Sequence, residues 1–288
     1  MTDRDRLPPP ARLADLAGRN DAFLVDQFGV LTDGVRLYPG ACDALLALRA
    51  AGKRVALLSN SGRRAHLNAE RLAAMGIPGD AYDLFMTSGE FAHMLLRQGA
   101  LAEGARRCLL FARGGDASPI EGTGLAVTDD AAVADLVVIA GSDADTRPLA
   151  SYEAALAPAA RRGLPALCLN PDRTMLTARG FAAGAGQIAA MYEALGGRVT
   201  WVGKPHRAIY DHVIAALGGP ARNRVVGLGD SVEHDIAGAR AAGCAAALVR
   251  KGIVAAASDA DILAECARVG AWPDAVLDSF AWDGGASS

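Results

Sequence analysis

Four apolar runs of this chain each stop on a residue that can hold or attack an anion. AFLVD ends on Asp26, VALLSN on Ser59 and Asn60, VTWVGK on Lys204, and VVGLGD on Asp230. A carboxylate at the tip of a buried strand can serve as nucleophile, general base or metal ligand. Two carboxylates brought together repel unless a cation sits between them. Asp26 and Asp230, with a backbone carbonyl and waters, make the all-oxygen donor set that Mg2+ prefers. Ser59, the backbone beside Asn60, and Lys204 then supply donors for an anion. Carboxylate, divalent cation, hydroxyl and ammonium together describe a phosphoryl-transfer site, where charge on three equatorial oxygens must be neutralised.

Elements must bring these residues together. Short runs that are apolar throughout, including RCLLFA, ADLVVIAG, PALCLN and CAAALV, read as strands covered on both faces. Between them lie helical patterns such as CDALLALRAAG, RRAHLNAERLAAMG, QIAAMYEALGG and EHDIAGARAAG, several ending on a Gly suited to a C-cap. The alternation predicts an α/β fold with a mainly parallel sheet. In such sheets ligands sit beyond the carboxyl ends of the strands, so if the four strands are neighbours their tips converge there. The interval from Ser59 to Lys204 holds more α/β pattern than one crossover needs. TSGE at Thr87 matches a capping box, and the helix it starts leads into an expected inserted domain at 89–185. The catalytic core is then 1–88 together with 186–288. RGGDASPIEGTG reads as a loop inside the insertion.

Composition removes several classes. The chain has 288 residues, 51% of them hydrophobic, enough for a sizeable core. With 29 basic against 32 acidic residues and no basic block, a nucleic-acid partner is not expected. The five cysteines lie far apart without metal-ligand spacing and read as reduced thiols. The N-terminal stretch has no apolar segment suited to a signal peptide, and no run approaches the roughly 20 residues of a membrane helix. A soluble, cytoplasmic protein without a membrane partner is the expectation.

The ordered set DQFGVL, LLSNS, GKPH and GDSVEHD resembles the four motifs of the haloacid dehalogenase (HAD) superfamily. The spacing is similar to its class IIA branch, the 4-nitrophenylphosphatase and sugar-phosphatase type, whose cap is inserted between the second and third motifs. LNPD from Leu169 and GAGQIAAMYEALGG before GKPH are also similar to that branch. The resemblance implies a Rossmannoid α/β core with a smaller α/β cap, a Mg2+ cofactor, and hydrolysis of a small phosphorylated metabolite. It implies Asp26 as the nucleophile and a metal ligand, with Ser59 and Lys204 holding the phosphate and Asn60 beside it. Asp230 and the backbone carbonyl of Phe28 would complete the metal site, and Asp235 would order metal-bound waters. Asp172 in LNPD is a candidate for contact with substrate from the cap side, with a plain turn carboxylate as the alternative. Asp33 reads as a turn residue, and His206 and His234 as structural. Oligomeric state stays open; a cap could supply the surface of a homodimer.

One motif departs from the family. Its phosphatases usually carry DxD in the first motif, the second aspartate protonating the leaving oxygen, and here that position is Phe28. General acid–base catalysis contributes about 10²–10⁴-fold, so the expectation is a slow phosphatase favouring good leaving groups. A protein that binds a phosphorylated ligand without turning it over is the rival reading. A 2-haloacid dehalogenase, whose halide needs no proton, is a further one. Against it, its cap falls between the first two motifs, whereas Asp26 and Ser59 are only 33 residues apart.

Overall fold

The computed structural model describes residues 6–177 and 180–282, and the chain divides into two compact units. The first unit comprises the chain up to Ser59, Ala69–Met86, and the chain from Lys204 on; the second comprises Asn60–Asn68 and Thr87–Gly203. The strands are β1 (Ala22–Val25), β2 (Arg54–Ser59), β3 (Leu84–Thr87), β4 (Arg107–Phe111), β5 (Ala126–Val127), β6 (Leu136–Ile139) and β7 (Pro165–Cys168). They continue with β8 (Thr174–Thr177), β9 (Gly180–Ala183), β10 (Arg198–Trp201), β11 (Val225–Gly229), β12 (Ala245–Val249) and β13 (Ala275–Leu277). The α/β architecture expected from the alternation of runs is the one that forms, with mainly parallel sheets.

The first unit is built on a six-stranded sheet in the order β13-β12-β11-β1-β2-β3. All four residues of β1 and all five of β11 are buried, which is why AFLV and VVGLG can be apolar on both faces. Burying a side chain such as that of Phe23, at 0% exposure, contributes about 1.5–3 kcal/mol. The helix Ala41–Ala50 that joins β1 to β2 buries Ala41, Ala44, Leu45 and Leu48, the spacing of one helical face. Strand order reverses at β1, since the chain moves on to β2 on one side while β11 lies on the other. Such a switch point leaves a crevice at the carboxyl ends. Asp26 follows β1 there, and Asp230 follows β11.

The second unit has a five-stranded sheet in the order β10-β7-β6-β4-β5 and an antiparallel hairpin, β8-β9. Its core sets Val137 and Ile139 of β6 against Tyr152, Leu156 and Ala159 of the helix Leu149–Arg161. The condition that all four strands be neighbours is not met: β10, the strand of VTWVGK, pairs with β7 and lies outside the six-stranded sheet. Its apolar pattern says that it is a strand; only non-local pairing says of which sheet. The capping box at Thr87 is half formed. The Thr87 hydroxyl accepts the Glu90 N–H at 2.9 Å, but the Glu90 carboxylate is taken by the Arg64 guanidinium and the Ala65 N–H. An ion pair and a second orphan N–H hold the glutamate better than the cap's own backbone. RGGDASPIEGTG is a loop, with two short 3-10 turns at Arg113–Gly115 and Ser118–Ile120. Among the described residues, no helix is long and apolar enough to cross a membrane.

Candidate active site

Asp26 is held by its own backbone, whose N–H donates to the Leu228 carbonyl of β11 at 2.9 Å. That bond continues the β1–β11 ladder by one residue and aims the carboxylate past the sheet edge. Lys204 completes the approach from a different direction, in the segment after β10. Its Nζ donates to Asp26 Oδ1 at 2.6 Å and to Asp235 Oδ1 at 2.7 Å. Asp26, Asp230 and Asp235 each offer a carboxylate oxygen, and these oxygens lie within 4.8 Å of one another. All four residues are buried, Asp26 being the most exposed at 8%.

Local hydrogen bonding fixes the placement of Asp235. After β11 the chain makes a single π turn, Val232–Ile236, a widened form of helix often found where function demands it. Ser231 starts it: its hydroxyl accepts the His234 N–H at 3.1 Å, while its own N–H donates to Asp235 Oδ2 at 3.1 Å. The Ser231 N–H bond fixes the carboxylate against the end of β11. Tyr210 supports the turn from behind, its hydroxyl donating to the His234 carbonyl at 3.2 Å.

Burial of this much charge has electrostatic consequences. Burial pushes the Asp230 carboxyl well above the usual carboxylate range, and the neighbouring Asp26 and Asp235 push it further. Burial alone would pull the Lys204 ammonium down, but Asp235 and Asp26 outweigh it and hold it well above an ordinary lysine. Three acidic side chains thus gather around one ammonium, which bonds two of them, in a site screened from water. The donor set is all oxygen, compact and over-charged, which is the chemistry a hard divalent cation matches. Mg2+ fits these residues.

The remaining candidates fall as follows. Ser59 ends β2, one position beyond the level of Asp26 in the β1–β2 register, and is buried. The chain passes into the second unit between Ser59 and Asn60. There the Asn60 amide donates to Asp172 Oδ1 at 2.8 Å, and its carbonyl oxygen accepts the Ser88 hydroxyl at 3.1 Å. Asp33 behaves as the turn residue expected, its Oδ1 accepting the N–H groups of Val35 and Arg36 at 2.7 Å each. Phe28 lies just beyond β1 and leaves 38% of its surface exposed. Sequence reasoning missed Tyr210, Ser88 and Ile253, whose N–H donates to Asp230 Oδ2 at 2.6 Å. Tyr210 lies six residues after Lys204 on an amphipathic helix, a weak signal; the other two carry none.

A buried acidic centre at the switch point of a parallel sheet, with one lysine bridging two of its carboxylates, is the donor set that a divalent cation and a phosphoryl group call for. The family follows from comparison. Residues 23–126 match the model of the haloacid dehalogenase-like hydrolases, and residues 201–282 match a second model of the same kind. Human chronophin is 31% identical over 240 residues, covering 78% of this chain and 79% of that protein. A haloacid dehalogenase-like hydrolase from Brucella suis superposes with a TM-score of 0.81 at 30% identity, covering 94% and 99% of the two chains. The chain belongs to the haloacid dehalogenase-like hydrolases. D-glycerol 3-phosphate phosphatase of Mycobacterium tuberculosis is 29% identical over 242 residues, 84% of this chain and 66% of that protein's length. Glycerol phosphate phosphatase of that organism, in complex with magnesium, superposes with a TM-score of 0.69 at 27% identity, covering 94% and 79%.

Proposed function

We propose that the protein is a Mg2+-dependent phosphatase of a small phosphorylated metabolite, working through an aspartyl-phosphate on Asp26 and weak on poor leaving groups. The observation that carries the reading is the pair of bonds from Lys204 to Asp26 and Asp235, with Asp230 in the same cluster. Relatives named as phosphatases support it. The Asp26 carboxylate attacks phosphorus, the P–O bond to the ester oxygen breaks, and a water later cleaves the acyl phosphate to free Asp26 and inorganic phosphate. Lys204, bonded to Asp26 Oδ1 at 2.6 Å, orients the nucleophile and neutralises phosphoryl charge in a site where water cannot screen it. Ser59 donates to the phosphate, and Asn60 stands beside it, oriented by Asp172. Asp26, Asp230 and the Phe28 carbonyl would hold the metal, with Asp235 behind them. When bound, Mg2+ supplies Lewis-acid neutralisation of the phosphoryl oxygens. The second unit, which contains the 89–185 insertion, would be the cap that selects the substrate.

The test is phosphate release from a panel of esters with Mg2+ and with EDTA. Turnover of 4-nitrophenyl phosphate is expected with the metal and is lost on chelation. Turnover that survives EDTA would remove the metal from the proposal. A raised melting temperature with Mg2+ and a phosphate analogue, but no release from any ester, would favour the binding protein instead.

Phe28 carries a second prediction. Phe28→Asp places a carboxyl at a position already 38% open to water, so the change does not bury a charge. Because a general acid is worth about 10²–10⁴-fold, the variant should raise turnover of alkyl phosphates relative to aryl phosphates by about tenfold or more. Equal effects on both ester types would mean that the missing acid is not what limits the enzyme.

A further inference from the structure

Single exposed apolar side chains are common and carry no message. Phe28 and Ile253 differ because their backbones close on one carboxylate. Gly29, next to Phe28, and Gly252, next to Ile253, run so near Asp230 that an added Cβ would lie 2.0 and 1.8 Å from its Oδ2. The same Cβ on Gly252 would lie 2.5 Å from the Gly29 Cα, so the two loops touch over the carboxylate. Gly29 also sits at φ +82°, which favours glycine for a second reason. The Ile253 N–H bonds to Asp230, and a backbone hydrogen bond ties Gly252 to the Tyr38 hydroxyl. The Phe28 ring lies beside the turn at Gly34, where an added Cβ would stand 3.7 Å from it. The two loops that close over Asp230 thus carry two exposed apolar side chains, Phe28 at 38% and Ile253 at 54%.

We propose that Phe28 and Ile253 form an apolar clamp for the leaving group, so that the preferred substrate is a phosphate ester with a hydrocarbon or aryl body rather than a polyhydroxylated one. The inference rests on the phosphatase reading and deepens it. A hydrocarbon body removes apolar surface from water on both partners, whereas hydroxyls pressed against these side chains lose water without gaining hydrogen bonds. This preference is one of binding, and it is separate from the electronic demand for a good leaving group.

Non-hydrolysable ligands separate the two. Calorimetric dissociation constants of phenylphosphonate and methylphosphonate are measured on the full Mg2+-loaded chain, for wild type, Ile253→Ser, Ile253→Leu and Phe28→Ser. Wild type should favour the phenyl ligand by about tenfold or more. Each serine variant should lose most of that ratio, and Ile253→Leu should keep it. An unchanged ratio in both serine variants, with thermal melts reporting intact folds, overturns the clamp, as does binding of neither phosphonate. If the ratio collapses as expected while no ester is hydrolysed, the clamp stands and the phosphatase reading falls.

Discussion

Asp26→Asn is expected to bring ester turnover to background, about 10⁴-fold or more below wild type, the scale on which loss of a nucleophile is felt. An amide is a poor nucleophile and cannot form the acyl phosphate, so the residual rate measures only what the donors do to bound ester and water. The fold should survive. In the metal-free protein Asp26 is one of three carboxylates around a single ammonium, and its charge helps push Asp230 upward. Removing that charge relieves repulsion, while Lys204 keeps its bond to Asp235. The melting temperature in EDTA should therefore be no lower than that of wild type. Activity lost together with stability would point to a structural role for Asp26; activity retained would mean that another group attacks phosphorus. Mass spectrometry of wild type and variant after incubation with a phosphate donor checks the same step, the adduct appearing on residue 26 of the wild type alone.

What the sequence discloses and what it hides divide along a physical line. Strands buried on both faces announce themselves, because AFLV, VVGLG and AALV have no polar face to present. Residues at their ends follow, so Asp26, Ser59 and Asp230 are legible from spacing alone. Asp235 is not, and enters through its motif; a π turn that folds a carboxylate back onto the preceding strand has no local signature. The two-residue β5 and three-residue β13 are too short for any period. Lys204 shows the limit most clearly. Its segment follows a strand of the other sheet, yet its ammonium meets Asp26 across 178 residues of sequence. Asn60 and Asp172, 112 residues apart, are bonded by the same kind of long-range encounter. Residue type proposes the chemistry; only tertiary contact decides the partner.

Lys204→Met should be damaging in both stability and rate, and the two losses should respond differently to metal. The side chain is buried, and its ammonium bonds to two carboxylates. Removing one partner from a buried ionic cluster costs about 3–5 kcal/mol, because Asp26 and Asp235 would be left facing each other. In EDTA the melting temperature should fall by roughly 5–15 °C. Mg2+ should restore much of it, since a divalent cation neutralises the same carboxylates. Turnover should not return with the metal. Loss of a preorganised donor to the transition state costs about 10²–10³-fold, and a cation on the carboxylates does not stand where Nζ stood. Lys204→Arg offers no escape, because the cavity beside Lys204, lined by Asp26, Tyr210 and Asp235, is only about 10 Å³ and admits no more than one water. Differential scanning fluorimetry and phosphate release, each with and without Mg2+, separate the two effects. A variant as stable as wild type in EDTA would show that the carboxylates do not need the ammonium. Recovery of rate with the metal would show that Lys204 serves the fold and not the chemistry.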